Sequence, residues 1–146
     1  MPEITIQEMT AADLPRVLEL ARQLGYPDTP EAMGSRFERI RQRPGHTLVT
    51  ARADGEVIGW MHLCELTPLE APAAAQISGV VVDEAWRGRG VGRRFIEYAE
   101  SWAGARGLGR LTLRSRDNRA NAHAFYRRRG FAAAKRSVVF EREIGP

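Results

Sequence analysis

The stretch Val80-Val81-Val82-Asp83-Glu84-Ala85-Trp86-Arg87-Gly88-Arg89-Gly90-Val91-Gly92-Arg93-Arg94-Phe95-Ile96 constrains the fold of this chain more than any other. A β-branched apolar run predicts a strand, the glycines a turn, and the spacing after them a helix. Strand, glycine turn and helix start is the arrangement that aims backbone N–H groups at an anion. Gly88, Gly90 and Gly92 can take backbone angles closed to other residues and let a ligand approach the main chain. Arg87, Arg89, Arg93 and Arg94 add positive charge at the same place. The stretch is expected to hold a phosphate or pyrophosphate. It is not a Walker A loop, because no Gly-Lys-Ser/Thr follows. It is also a poor dinucleotide fingerprint, because the glycines run G-x-G-x-G and the turn lies mid-chain. The bland alternative is a glycine turn ringed by solvated arginines.

A length of 146 residues suits one domain with a sizeable core. Hydrophobic residues make up 43% and charged residues 27%, a globular composition and not a disordered one. No apolar run approaches the ~20 residues that span a bilayer, so no membrane partner is expected. The N-terminus lacks the basic and apolar regions of a signal peptide, and a cytoplasmic enzyme is the expectation. The single cysteine, Cys64, excludes an internal disulfide. His46, His62 and His123 have no metal-ligand spacing, so no metal is expected. The net charge of +4 points to an anionic partner without saying which one.

In chain order, alternation predicts a strand over 3–9, and Thr10 can cap a helix carrying Leu14, Val17, Leu18 and Leu20. That helix should stop at Leu24-Gly25. Asp28 or Thr29 can cap a second helix with Pro30 in its first turn and Met33, Phe37 and Ile40 inward. Strands over 47–53 and 57–64 flank the hairpin signal Asp54-Gly55. Alternation puts Trp60, His62 and Cys64 on one face, Met61 and Leu63 on the other. Residues 65–75 read as a loop. Residues 76–82 read as a central strand, with Gly79 as a candidate bulge. A helix from Val91 to near Gly107, a strand over 110–115 and a helix over 119–129 follow. Strands over 131–134 and 137–144 are expected to close the sheet. The expected class is α+β, about six to seven strands in a mixed sheet with about four helices.

Two stretches together resemble a known family. Arg87-Gly88-Arg89-Gly90-Val91-Gly92 is similar to the acyl-coenzyme A signature of the GCN5-related N-acetyltransferases, Arg/Gln-x-x-Gly-x-Gly/Ala. About 30 residues on, Asn121 to Phe131 resembles the second signature, Ala-x-x-Phe-Tyr-x-x-x-Gly-Phe, here Ala122, Phe125, Tyr126, Gly130 and Phe131. The strand over 110–115 lies between them, and Gly59 follows the Val57-Ile58 pair, as in the family. The resemblance spans residues 4–144. It implies an N-acetyltransferase domain over 1–146, with acetyl-CoA as acyl donor and no metal.

The resemblance also implies roles. Arg87, Gly88, Arg89, Gly90, Val91, Gly92 and Arg93 would anchor the pyrophosphate. The splayed strand, Val80, Val81 and Val82, would pair with pantetheine. A strand N–H beside the bulge, that of Val81 or Val82, would polarise the thioester carbonyl. Tyr126 would give a proton to the departing thiolate. Asn121 is favoured over Asn118 for a pantetheine contact. His123 shares a helix face with Tyr126.

The chain departs from the family at the base. Many relatives place a carboxylate on the central strand, which here offers Gln76 and Ser78. Glu65, Glu70, Asp83, His62 or a water chain remain as candidates. The acceptor is expected to be a primary amine, a small molecule before a protein, bound by residues 24–41 and 66–75. A homodimer is expected by analogy with the family. Two rivals stand beside this reading: a non-catalytic acyl-CoA sensor, and a basic nucleic-acid-binding protein. Arg127-Arg128-Arg129 supports the second weakly, since cations suit a helix C-terminus in any case.

Overall fold

A computed structural model describes residues 2–26, 28–114 and 120–145. The chain divides into two compact units, Met1–Arg114 and Ser115–Pro146.

The first unit is built on a five-stranded sheet in the order β1-β2-β3-β4-β5. The strands are β1 (Thr5–Glu8), β2 (His46–Ala53), β3 (Glu56–Leu66), β4 (Ala74–Val82) and β5 (Leu111–Leu113). The first four pair antiparallel, and β5 runs parallel to β4. Asp54 (φ 52°) and Gly55 (φ 76°) make the turn of the β2–β3 hairpin. Two positive-φ residues in succession match the right-handed strand twist.

Helices α1 (Leu14–Gln23) and α2 (Pro30–Arg41) cover one face. Met9, Val17 and Phe37 pack there with Leu14, Met33, Leu48 and Trp60. Leu20 packs beside them on Val57 and Val81. Helix α3 (Val91–Ala105) covers the opposite face, with fully buried Phe95 against β3. A Cβ added to Gly59 would lie 2.8 Å from the Val81 carbonyl oxygen and 3.0 Å from the Phe95 ring. Glycine at 59 is therefore a packing requirement of the β3–α3 contact.

The helix boundaries follow local chemistry. Thr29 caps α2, its Oγ1 accepting from the Ala32 N–H at 3.1 Å with Pro30 in the first turn. Buried Asp13 accepts from the Thr10 N–H at 2.8 Å and pairs with Arg52 of β2, which ties the start of α1 to the sheet. At the end of α1, Gly25 (φ 82°) donates to Arg22 at 2.9 Å and Tyr26 to Ala21 at 3.4 Å. At the end of α3, Gly107 (φ 71°) donates to Gly104 at 3.1 Å and Leu108 to Ala103 at 2.9 Å. Both are Schellman caps, in which a left-handed glycine satisfies carbonyls left over by the helix.

The second unit carries helix α4 (Ala120–Arg128). It ends in the same cap: Gly130 (φ 89°) donates to Arg127 at 3.1 Å and Phe131 to Tyr126 at 3.0 Å. The strands expected over 131–134 and 137–144 are not formed, so the described residues hold five strands, not six to seven. Three consecutive alanines, Ala132 to Ala134, have low β-propensity and little to bury. Val138, Val139 and Phe140 are exposed, so this apolar run buries no face. The α+β class holds as expected, with four α-helices among the described residues.

Candidate active site

Strand β4 makes the first half of the site. It pairs with β5 only along Ala75–Ile77. Its register with β3 sets Gly79 opposite His62 and Ile77 opposite Leu63, leaving Ser78 as the extra residue of a bulge. The bulge therefore falls one residue before the expected Gly79. Beyond it, residues 80–82 pair with β3 on one side and, among the described residues, with no strand on the other. The Asp83 N–H donates to the Ile58 carbonyl at 2.9 Å. Antiparallel alternation then turns the Val81 main chain toward β3 and the main chains of Val80 and Val82 outward. Val80 and Val82 thus offer a polar edge of the kind an amide-bearing ligand can extend. Val81 gives its backbone to β3 and its buried side chain to the core.

The turn from Arg87 to Gly90 and the first turn of α3 make the second half. Gly88 (φ 75°) and Gly90 (φ 88°) are both left-handed, and Gly90 is the helix N-cap. A glycine cap has no side chain to satisfy the helix amides. Arg94 is the first to find an acceptor, the Gly90 carbonyl at 3.1 Å. The six amides of Gly88, Arg89, Gly90, Val91, Gly92 and Arg93 donate to nothing among the described residues. Unsatisfied amides at the positive end of a 15-residue helix form an anion cradle. The arginines rim it. The Arg89 guanidinium lies 4.8 Å from the Trp86 ring centroid. Among the described residues, Arg93 makes one long, exposed ion pair, with Glu97 at 3.5 Å. The Arg87 side chain is exposed and has no polar partner among the described residues.

A network that the sequence did not announce holds this junction in place. Asp83, 9% exposed, ends β4 and caps the short 3₁₀ turn Glu84–Trp86. Its carboxylate accepts from Arg16 Nη2 at 2.5 Å, Gln23 Nε2 at 3.3 Å and the Ala85 N–H at 3.2 Å. Gln23 Oε1 also accepts from the Glu84 N–H at 3.1 Å, and Arg16 Nε reaches the Val57 carbonyl at 3.0 Å. Burial raises the Asp83 pKa, but the Ala85 N–H, Gln23 and Arg16 outweigh it, and the net shift is downward. Arg16 and Gln23 stand seven apart in α1, which puts both on one helix face. That spacing is the signal by which they could have been found.

The base candidates stand in different surroundings. The Asp83 carboxylate is taken up by this network, accepting from Arg16, Gln23 and the Ala85 N–H. Glu65 pairs with Arg106 of the turn after α3 at 3.5 Å, on the face opposite His62. Glu70 lies exposed in the loop over 67–73. His62 lies on the α1/α2 face, with its Nε2 3.0 Å from Nδ1 of His46. Cys64 is buried and contacts Ser78 Oγ through its sulfur at 3.1 Å, as a packing residue would. The Trp60 ring fills the space above Gly79, 3.1 Å from where a Cβ would stand. In the acceptor region Tyr26 is about half exposed, and Asp28 is held by Arg36.

In the second unit, Tyr126 is half-buried in α4, with its ring edge-on to Phe125 at 5.6 Å and to Phe131 at 5.9 Å. The Schellman cap explains the spacing of the second motif: Gly130 is the left-handed residue, and Phe131 packs back on Tyr126 as such caps favour. Asn121 is exposed in the first turn and His123 is half-buried. Asn118 lies outside the described residues.

Residues 13–131 match the Acetyltransferase (GNAT) family. An aminoglycoside N(6')-acetyltransferase type 1 from Stenotrophomonas maltophilia is 27% identical over 97% of this chain and 95% of its own. The N-alpha-acetyltransferase RimI of Mycobacterium tuberculosis is 35% identical over 88% of this chain and 78% of its own. A solved aminoglycoside N-acetyltransferase, AAC(6')-Iy in complex with CoA, has the same fold, with a TM-score of 0.86 at 19% identity over 99% of this chain and 97% of that one. The chain belongs to the GNAT acetyltransferase family, and its fold is the GNAT fold. It is an acetyl-CoA-dependent N-acetyltransferase.

Proposed function

We propose that this enzyme moves an acetyl group from acetyl-CoA directly onto a primary amine of a small molecule. The observation that carries the proposal is the run of six amides from Gly88 to Arg93 with no acceptor among the described residues, set beside the β4 edge at Val80 and Val82, which no described strand covers. The cradle fits a pyrophosphate, with Arg87, Arg89 and Arg93 at its rim, and the edge fits the amides of pantetheine. Each charge-assisted contact contributes about 1.5–3 kcal/mol.

The chemistry assigned to the chain's own groups is as follows. The outward Val82 N–H donates to the thioester oxygen as it becomes an oxyanion. The amine nitrogen bonds to the carbonyl carbon, the C–S bond breaks, and Tyr126 O–H protonates the leaving sulfur. Asn121 contacts the pantetheine arm. The acceptor lies against residues 24–41 and 66–75. The resemblance to an aminoglycoside acetyltransferase over nearly the whole of both chains supports a small-molecule amine. No helix among the described residues is long and apolar enough to cross a membrane. A cytoplasmic setting is part of the proposal. The 146 residues act as one acetyltransferase domain, and pairing of two copies through sheet edges gives the proposed homodimer.

The test is acceptor-dependent thiol release from acetyl-CoA, run over polyamines, aminoglycosides, amino acids and N-terminal peptides. Turnover with a small amine and none with peptides is expected. Turnover with peptides alone would move the acceptor to a protein N-terminus. Release without any acceptor dependence would leave only binding and slow hydrolysis.

A further inference from the structure

The transfer reaction requires the acceptor nitrogen to lose a proton, and β4 offers no carboxylate for it. The face above the β4 bulge holds a different group. His62 is the register partner of Gly79, one residue before the outward main chain of Val80. Its Nε2 is 3.0 Å from Nδ1 of His46, and the two rings lie 5.3 Å apart at 31°. His46 is the first residue of β2, next to the turn at Gly45. The pair thus runs from the bulge toward the end of the sheet. Its surroundings are Leu48 of β2 and Trp60 and Cys64 of β3, with Arg43 acting on both rings from the turn after α2.

We propose that His62 takes the proton that the acceptor amine loses on adding to the thioester, and that His46 relays it to solvent. The inference rests on the transferase reading above. In the tautomer with His62 Nε2–H donating to His46 Nδ1, the His62 Nδ1 lone pair has no hydrogen-bond partner among the described residues. As the C–N bond forms, Nδ1 takes the amine proton. The Nε2 proton passes to His46 Nδ1, and His46 releases its own Nε2 proton to water. The electron pair of the C–S bond leaves with sulfur, which takes the Tyr126 proton, so protons and charge balance. Burial first, then the charges of His46 and Arg43, push the His62 pKa down to about 4. Burial first and then Arg43 also lower that of His46. Both rings are then neutral near neutral pH, so each carries one nitrogen lone pair that can accept a proton.

The test uses full-length His62→Ala, His62→Gln and His46→Gln, with an amine that the wild type acetylates. His62→Ala should lose about 10²-fold or more in kcat/KM while acetyl-CoA affinity holds. Added imidazole should restore turnover in His62→Ala, rising with the fraction of free base. His46→Gln should lose roughly tenfold, because water can replace part of the relay. The inference is overturned if His62→Ala and His62→Gln both turn over within about threefold of wild type. It is also overturned if acetyl-CoA binding survives and imidazole restores nothing. Should His62→Ala fail to bind acetyl-CoA, His62→Gln, which can keep a hydrogen bond to His46, carries the test alone. Failure of the transferase reading looks different, because the wild type itself would then release no thiol with any amine.

Discussion

A single methyl group at Gly90 tests the anion cradle. Gly90 sits at φ 88°, and a Cβ there would meet only the Arg93 guanidinium, at 3.9 Å. The cost of Gly90→Ala is therefore conformational and not steric. Holding an L-residue in the left-handed region costs about 1–2 kcal/mol. The free protein can shed much of that by relaxing the turn. On the proposed reading the bound form cannot, because there the amides from Gly88 to Arg93 converge on one pyrophosphate. The strain falls on binding, and acetyl-CoA should bind about tenfold more weakly. The melting temperature should move by only about 2–4 °C. Gly34→Ala is the control. Gly34 lies inside α2 with open space around it and no positive φ. The same methyl should stabilise the protein by about 0.5–1 kcal/mol and leave affinity alone. Calorimetric titration with acetyl-CoA and thermal unfolding of both variants decide the matter. Wild-type affinity in Gly90→Ala, at an unchanged melting temperature, would refute the claim that a left-handed turn holds the ligand.

Three further outcomes are expected. Gly59→Ala forces a Cβ to within 3.0 Å of the Val81 carbonyl and Phe95, and should destabilise the fold by about 1–3 kcal/mol in denaturant titration; an unchanged midpoint would contradict the packing described. The folded-state pKa of Asp83 is depressed, so its contribution to stability is present above the unfolded pKa near 3.9 and is lost as pH falls through the folded value. Arg16→Met removes one cause of that depression, so acid unfolding should begin at higher pH than in wild type, and identical acid limbs would count against the network. Tyr126→Phe should lower turnover by about 10²–10⁴-fold with acetyl-CoA affinity intact; retained turnover would reduce Tyr126 to a packing residue of the α4 cap.

The parts of this enzyme governed by short-range rules were legible in the sequence. The Asp54-Gly55 hairpin, the glycine stops at Gly25, Gly107 and Gly130 and the strand-turn-helix around Gly88 and Gly90 each depend on a few adjacent residues. The site's support was not legible, because it depends on register and on contacts across the chain. Arg16 and Asp83 are 67 residues apart and meet only once α1 lies across β3 and β4. His46 and His62 meet diagonally, because the hairpin sets Leu48 opposite His62 and His46 opposite Cys64. A register count from Asp54-Gly55 approaches that pairing, but the bulge between Ala51 and Arg52 shifts it by one. The same one-residue sensitivity moved the β4 bulge from Gly79 to Ser78. Between Val81 and Val82, only ladder parity decides whose N–H is open, and parity follows from the Asp83–Ile58 bond. The terminal strands differ from expectation because β-branched content alone does not make a strand: Val80 to Val82 pair with β3, whereas Val138 and Val139 are exposed and unpaired with any described strand.

The most direct measurement is a calorimetric titration of the wild type with acetyl-CoA and, in parallel, with acetyl-pantetheine, which lacks the phosphates. Arg87→Ala/Arg93→Ala is titrated beside it. If the amides from Gly88 to Arg93 hold a pyrophosphate, acetyl-CoA binds at one site per chain, acetyl-pantetheine binds at least about tenfold more weakly, and the double variant loses affinity for acetyl-CoA alone. Equal affinity for the two thioesters, or no binding of acetyl-CoA by a folded protein, would contradict the account of the cradle as the donor's anchor.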